Sequence, residues 1–139
     1  MKLSKIKIIK LEVYKNFKGD LIKYLNWQNK YFKKFGETYF TEIKKKHVKG
    51  WNYHKRLQCL LAVPFGEVVF TFKTNIKNKF KKKLTIGKKK NYLIIVPPKI
   101  WFKFQSKHKI SLVVNTLSEL YDPKETLKKP IDQKVIKNS

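Results

Sequence analysis

The sequence predicts an all-β sandwich or barrel. Two observations predict it. Short apolar runs of strand length recur along the chain, and Gly, Pro, Asn and Asp turn signals separate them at regular intervals. The 139 residues suit one domain, and 42% hydrophobic with 14% aromatic residues suffices for a packed core.

"KIKIIKLEVY" alternates as a first strand, followed by a turn at Lys18-Gly19-Asp20. Residues 21–35 read as a short helix. "GETYFTEI" is the next strand, and Lys44–Lys46 is a basic turn leading into another. "YHKRLQCLLAVPF" reads as one strand, with Leu57, Cys59, Leu61 and Val63 on one face. Pro64-Phe65-Gly66 turns the chain. "EVVFTFK" sets Val68, Phe70 and Phe72 on one face, and "KFKKKLTI" sets Phe80, Leu84 and Ile86 on one face. After a turn at Gly87–Asn91 come "YLIIV", stopped by Pro97-Pro98, then "IWFKFQ" and "KISLVVNTL". Tyr121-Asp122-Pro123 is the last turn. Residues 1–123 are expected to form the single domain, and 124–139 a charged tail, loose or a short helix.

The net charge of +25 attracts polyanions. Arg56 is the only arginine, however, and phosphate or guanine readers lean on the planar arginine fork. The lysine triplets 44–46, 81–83 and 88–90 sit at or beside turns. A solvated lysine surface is therefore favoured over a nucleic-acid-binding β-barrel, which stays as the third reading. Cys59, the lone cysteine, excludes an internal disulfide and reads as a buried thiol. The N-terminus carries no continuous apolar segment long enough for a signal peptide or membrane span, so a soluble, cytoplasmic protein is expected.

The three histidines form no His-x-His pair, and no metal site or cofactor is expected. No nucleophile elbow, phosphate loop or dinucleotide fingerprint occurs, and nine acids offer little for paired-carboxylate chemistry. What remains is a base with cations. Along one strand, Asn52, His54 and Arg56 share a face, and Trp51, Tyr53 and Lys55 share the other. A histidine suits proton abstraction beside a carbonyl, and an amide or cation suits the enolate that forms. On spacing alone, His54 reads equally as such a base or as a surface histidine. Trp101 and Tyr121 read equally as pocket lining or core.

"GETYFTEIKKKHVKGWNYHKRLQCLLAVPFGEVVF", "FKKKLTIGKKKNYLIIVPPKIWFKFQS" and "ISLVVNTLSELYDPKE", in this order, resemble the dTDP-4-dehydrorhamnose 3,5-epimerase family. The match is best to its shorter, sugar epimerase-like cupin members, and it spans about Gly36 to Glu125. The resemblance implies a cupin-type jelly-roll β-sandwich, usually a homodimer. It also implies cofactor-independent epimerisation or isomerisation of a nucleotide-linked 4-keto sugar, in surface polysaccharide synthesis. The family's Arg-Gly-Leu-His-Tyr-Gln corresponds to Lys49-Gly50-Trp51-Asn52-Tyr53-His54 here. Its catalytic histidine thus falls on Asn52, its active-site lysine on Cys59 and its catalytic tyrosine near Asn115. Its late aspartate partner lies in a C-terminal region that this chain lacks. The sugar 3,4-ketoisomerases carry Gly-x-His-x-His-Lys, which Gly50, Asn52, His54 and Lys55 match except at the first histidine.

The expected site is therefore His54 as base with Asn52 polarising the ketone. Arg56 assists Asn52, Lys49 meets phosphate, and Trp101, Tyr121 and Asn115 line the sugar pocket. The alternative is a degenerate cupin that binds a sugar nucleotide without turning it over.

Overall fold

The structure is a computed structural model, and it describes residues 2–131. It contains twelve strands among the described residues: β1 Lys7–Lys10, β2 Val13–Tyr14, β3 Leu21–Ile22, β4 Glu37–Lys44, β5 Val48–His54 and β6 Cys59–Phe65, then β7 Glu67–Lys73, β8 Lys82–Gly87, β9 Tyr92–Val96, β10 Trp101–Ser106, β11 Ile110–Leu117 and β12 Thr126–Lys128. One sheet runs β1-β9-β6-β11-β4, the other β12-β5-β10-β7-β8, and β2 and β3 form a small hairpin. Every strand pair is antiparallel. The all-β jelly-roll expectation is met.

The main core lies between the sheets, where Leu57, Cys59, Leu61, Val63, Val68, Phe70 and Phe72 meet Phe102, Phe104 and Val113. These are the alternate positions that the strand pattern marks as inward. Phe80 departs from it, being largely exposed because β8 begins only at Lys82.

Residues 21–35 do not form a helix. Leu21–Ile22 is a strand, and the rest packs Tyr24, Leu25, Tyr31 and Phe32 over Leu60, Leu93 and Ile95 on the outer face of the first sheet. The physical reason is local: Asn26 Oδ1 accepts from the Gln28 N–H and Asn29 Oδ1 from the Tyr31 N–H. Such side-chain turns compete with the helical ladder. Tyr24 fastens the segment by donating its hydroxyl to the Leu60 carbonyl.

The expected single strand across residues 53–65 is broken between His54 and Cys59. The N–H groups of Arg56 and Leu57 donate to the Glu125 carboxylate instead of to a neighbouring strand. The same interaction corrects the tail. Thr126–Lys128 is not loose or helical but a strand paired with β5, Thr126 opposite His54 and Lys128 opposite Asn52. The part of the expected tail from residue 132 lies outside the described residues.

Candidate functional site

Between the two sheets lies a cavity of about 160 Å³. Registered strand pairs build its walls. On the first sheet, Asn115 is the cross-strand partner of both Tyr39 and Leu61, and Val113 is that of Thr41. On the second, Asn52 pairs with Phe102, His54 with Thr126 and Lys49 with Phe104. All eleven of these residues line the cavity, together with Tyr121 and Lys128. Lys49, Tyr121 and Lys128 are exposed and mark its open side.

Simple alternation would send Lys49 and Asn52 to opposite faces. A β-bulge prevents this. Phe102 and Phe104 are two residues apart on β10, while their partners Asn52 and Lys49 are three apart on β5. The extra residue re-aims one side chain so that both partners point inward. Gly50 makes the bulge possible. Its φ is +123°, and an added Cβ would stand 2.7 Å from the Phe102 carbonyl oxygen.

His54 is only 6% exposed, and its Nδ1 is 2.7 Å from Glu125 Oε1. Glu125 is 1% exposed. It also accepts the Arg56 and Leu57 N–H groups at 2.8 and 2.9 Å and the Thr126 hydroxyl at 3.1 Å. Burial works against the Glu125 charge, but these two N–H groups and the His54 ring together hold its carboxyl below the usual carboxylate range. Burial likewise works against an imidazolium at His54. Interaction with the Cys59 sulfur and then with Glu125 outweighs it and raises His54 to about 9. With Nδ1 held by Glu125, Nε2 is the ring nitrogen that the carboxylate does not engage.

Across the cavity, Tyr39 is pushed up to about 12, chiefly by burial. Its hydroxyl oxygen accepts from Asn115 Nδ2 at 3.0 Å. Facing sheets thus supply a carboxylate-held histidine, a neutral phenol and two amides, Asn52 and Asn115. That set can hold a carbonyl compound and move a proton next to its carbonyl.

Of the sequence-predicted site residues, the structure brings His54, Asn52, Lys49, Tyr121 and Asn115 to one cavity. Arg56 and Trp101 do not line it. Arg56 lies beyond the end of β5, where alternation no longer applies, and its guanidinium holds Glu119 at 3.2 Å near the surface. Trp101 precedes inward-facing Phe102 and so faces out, packing on Tyr53 with ring centroids 4.8 Å apart. Cys59, aligned with the family's lysine, is buried in the core.

Two residues were missed. Glu125 gave no signal, because its sequence neighbours are tail-like and its partner is 71 residues away. Tyr39 was detectable, since it shares a strand face with Thr41 in "GETYFTEI". Among the described residues, no three His, Cys, Asp or Glu gather where they would hold a metal ion. Among these residues, too, no helix is long and apolar enough to cross a membrane. A larger depression of about 710 Å³ lies by Val63–Gly66, but its one acid, Asp20, is engaged by Lys15 at 3.0 Å. It contains no acid–base pair comparable with His54–Glu125.

Solved structures carry this architecture. A dTDP sugar isomerase from Desulfovibrio desulfuricans superposes with a TM-score of 0.84 at 25% identity, covering 95% of this chain and 88% of its own. By fold, the chain is similar to the dTDP-sugar epimerase-like cupins. The sugar 3,4-ketoisomerase QdtA from Thermoanaerobacterium thermosaccharolyticum, in complex with TDP, gives 0.79 at 18% identity over 92% and 90% of the two chains. The dTDP-6-deoxy-D-glucose-3,5-epimerase RmlC from Legionella pneumophila, with dTDP-4-keto-L-rhamnose, gives 0.76 at 15% identity over 92% and 74%. No protein-family model and no curated protein sequence matches the chain.

Proposed function

We propose that this cupin is a cofactor-independent isomerase or epimerase of a nucleotide-linked keto sugar. The observation that carries the reading is the buried His54–Glu125 pair in the wall of a cavity whose open side bears Lys49 and Lys128. The cavity has room for the sugar ring rather than the nucleotide. The lysines at its mouth suit the diphosphate. The dTDP-sugar enzymes that share the fold support this substrate class.

In the proposed reaction, neutral His54 takes the proton from the carbon next to the ketone. The C–H electron pair becomes the carbon–carbon double bond of an enol as the ketone oxygen gains negative charge or a proton. Tyr39 and Asn52, which both line the cavity, supply hydrogen bonds to that oxygen in this reading. Return of a proton to the opposite face inverts the carbon; return to the neighbouring carbon moves the ketone. Glu125 is a positioning residue: it fixes the His54 tautomer and stabilises the imidazolium formed in the first step.

Incubation with dTDP-4-keto-6-deoxyglucose in heavy water tests this reading. Deuterium is expected at a ring carbon next to the ketone, and incorporation is expected to stop in His54→Asn. Sugar-nucleotide binding without exchange at any carbon would refute catalysis. That outcome would favour a degenerate binding cupin, which Asn52 and Asn115 at the family's histidine and tyrosine positions also suit. We further infer a cytoplasmic homodimer acting in polysaccharide synthesis. Exposed Tyr14, Phe17, Leu21 and Trp27 on and beside the β2–β3 hairpin offer apolar surface for the dimer contact. Sedimentation at the monomer mass would refute the dimer.

A further inference from the structure

We propose that Asn115, with Tyr39 beside it, is a specificity-determining residue that reads the hydroxyl group adjacent to the ketone; this rests on the proposed function. The starting observation is an orphan. Asn115 is 4% exposed and lines the cavity, yet its Oδ1 is buried with no hydrogen-bond partner. A buried amide oxygen left unpaired is costly, and native interiors seldom keep one without a purpose.

The neighbouring strands fix the amide. Asn115 stands opposite Tyr39 on β4 and Leu61 on β6. Its Nδ2 donates to the Tyr39 oxygen at 3.0 Å, whereas Leu61 has no polar side-chain atom to offer. One end of the amide is satisfied by the protein, and the other is left to the occupant of the cavity.

The direction of that bond adds a second element. Tyr39 uses its oxygen as acceptor toward Asn115, which frees its own O–H to donate. The two side chains therefore present an acceptor and a donor side by side. The complementary ligand edge is a donor beside an acceptor, as in a hydroxyl next to a carbonyl. A sugar with a methylene at that carbon would fill the space but leave Oδ1 unpaired. Sites built to bond a hydroxyl discriminate against such analogues far more strongly than apolar pockets separate similar shapes.

The test compares dTDP-4-keto-6-deoxyglucose with its 3-deoxy and 2-deoxy counterparts, reading each Kd by displacement of bound dTDP. The wild-type protein is expected to bind the 3-deoxy compound at least about tenfold more weakly than the parent, while loss of the 2-hydroxyl has a smaller effect. Asn115→Leu is expected to bind parent and 3-deoxy compound alike, with dTDP affinity unchanged. Equal wild-type affinity for parent and 3-deoxy compound would overturn the role of Asn115 and leave the proposed function standing. Discrimination that persists in Asn115→Leu would do the same. Failure of the wild-type protein to bind any of the sugar nucleotides would overturn the proposed function and this inference with it. Because the wild-type comparison needs no substitution, a misfolded variant does not rescue the proposal.

Discussion

Replacing Glu125 separates its structural role from its chemical one. In Glu125→Ala, the N–H groups of Arg56 and Leu57 lose their acceptor, and His54 loses its partner in a site where it is 6% exposed. Each buried donor left unpaired costs about 1–3 kcal/mol. The two N–H groups and the ring together give a destabilisation on the order of 3–9 kcal/mol, reduced to the extent that water enters. In Glu125→Gln, the shape is kept, and the amide oxygen can still accept the two backbone N–H groups. The amide nitrogen, a donor, then faces His54 Nδ1. This favours the tautomer protonated on Nε2, which cannot act as a base there. Comparable loss of tautomer control costs about 10⁴ in rate in the serine-protease triad. Glu125→Gln should therefore lose about 1–2 kcal/mol of stability yet suppress deuterium exchange into substrate by about a thousandfold or more. Urea unfolding measures the first quantity and NMR the second. Wild-type exchange in Glu125→Gln, or wild-type stability in Glu125→Ala, would refute the reasoning.

Other outcomes follow from the same geometry. The folded-state pKa of His54, about 9, lies above its ordinary 6.5, so the contribution of its charge to stability is full below about pH 6.5 and lost as pH rises through about 9. Urea midpoints should fall across that window. The exchange rate should climb about tenfold per pH unit and level off near pH 9, since only neutral His54 is a base; a flat profile would exclude His54. Gly50→Ala forces a Cβ to 2.7 Å from the Phe102 oxygen at φ +123°, and should cost roughly 2–3 kcal/mol by denaturation and weaken sugar-nucleotide binding by displacing Lys49 or Asn52. Arg56→Gln removes only surface ion pairs with Glu119 and Asp122, so stability should change by less than about 1 kcal/mol and exchange should stay near wild type. Loss of exchange there would restore Arg56 to the site.

Much of the fold was legible because the chain marks its strands locally. Val68, Phe70 and Phe72 alternate with polar or half-buried neighbours, and a two-residue period admits only one inward face. The segment 21–35 suggests a helix that does not form, because its apolar residues cover the outside of a sheet. Such a cover needs no regular period, and Asn26 and Asn29 set its turns. At the site, the strand period placed Asn52 and His54 on one face, and the structure agrees. Arg56 and Trp101 fall outside the pocket because alternation ends with β5 at His54 and because an aromatic on a strand gives no sign of which sheet face it takes.

The sequence by itself determined the β class, the inward faces of the central strands and the shared face of Asn52 and His54. Those properties depend on neighbours one to four residues apart, within reach of pattern reading. Only the tertiary structure decided that His54 is a buried, carboxylate-held histidine rather than a surface one. Its partner Glu125 arrives from 71 positions away, on a segment that reads as a tail. Only the register of β5 against β10 decided that Lys49 joins Asn52 inside, because a bulge inverts the alternation that the sequence implies. Strand pairing across long sequence separation is fixed by the whole sandwich closing on its core, and no local stretch of this chain encodes it alone.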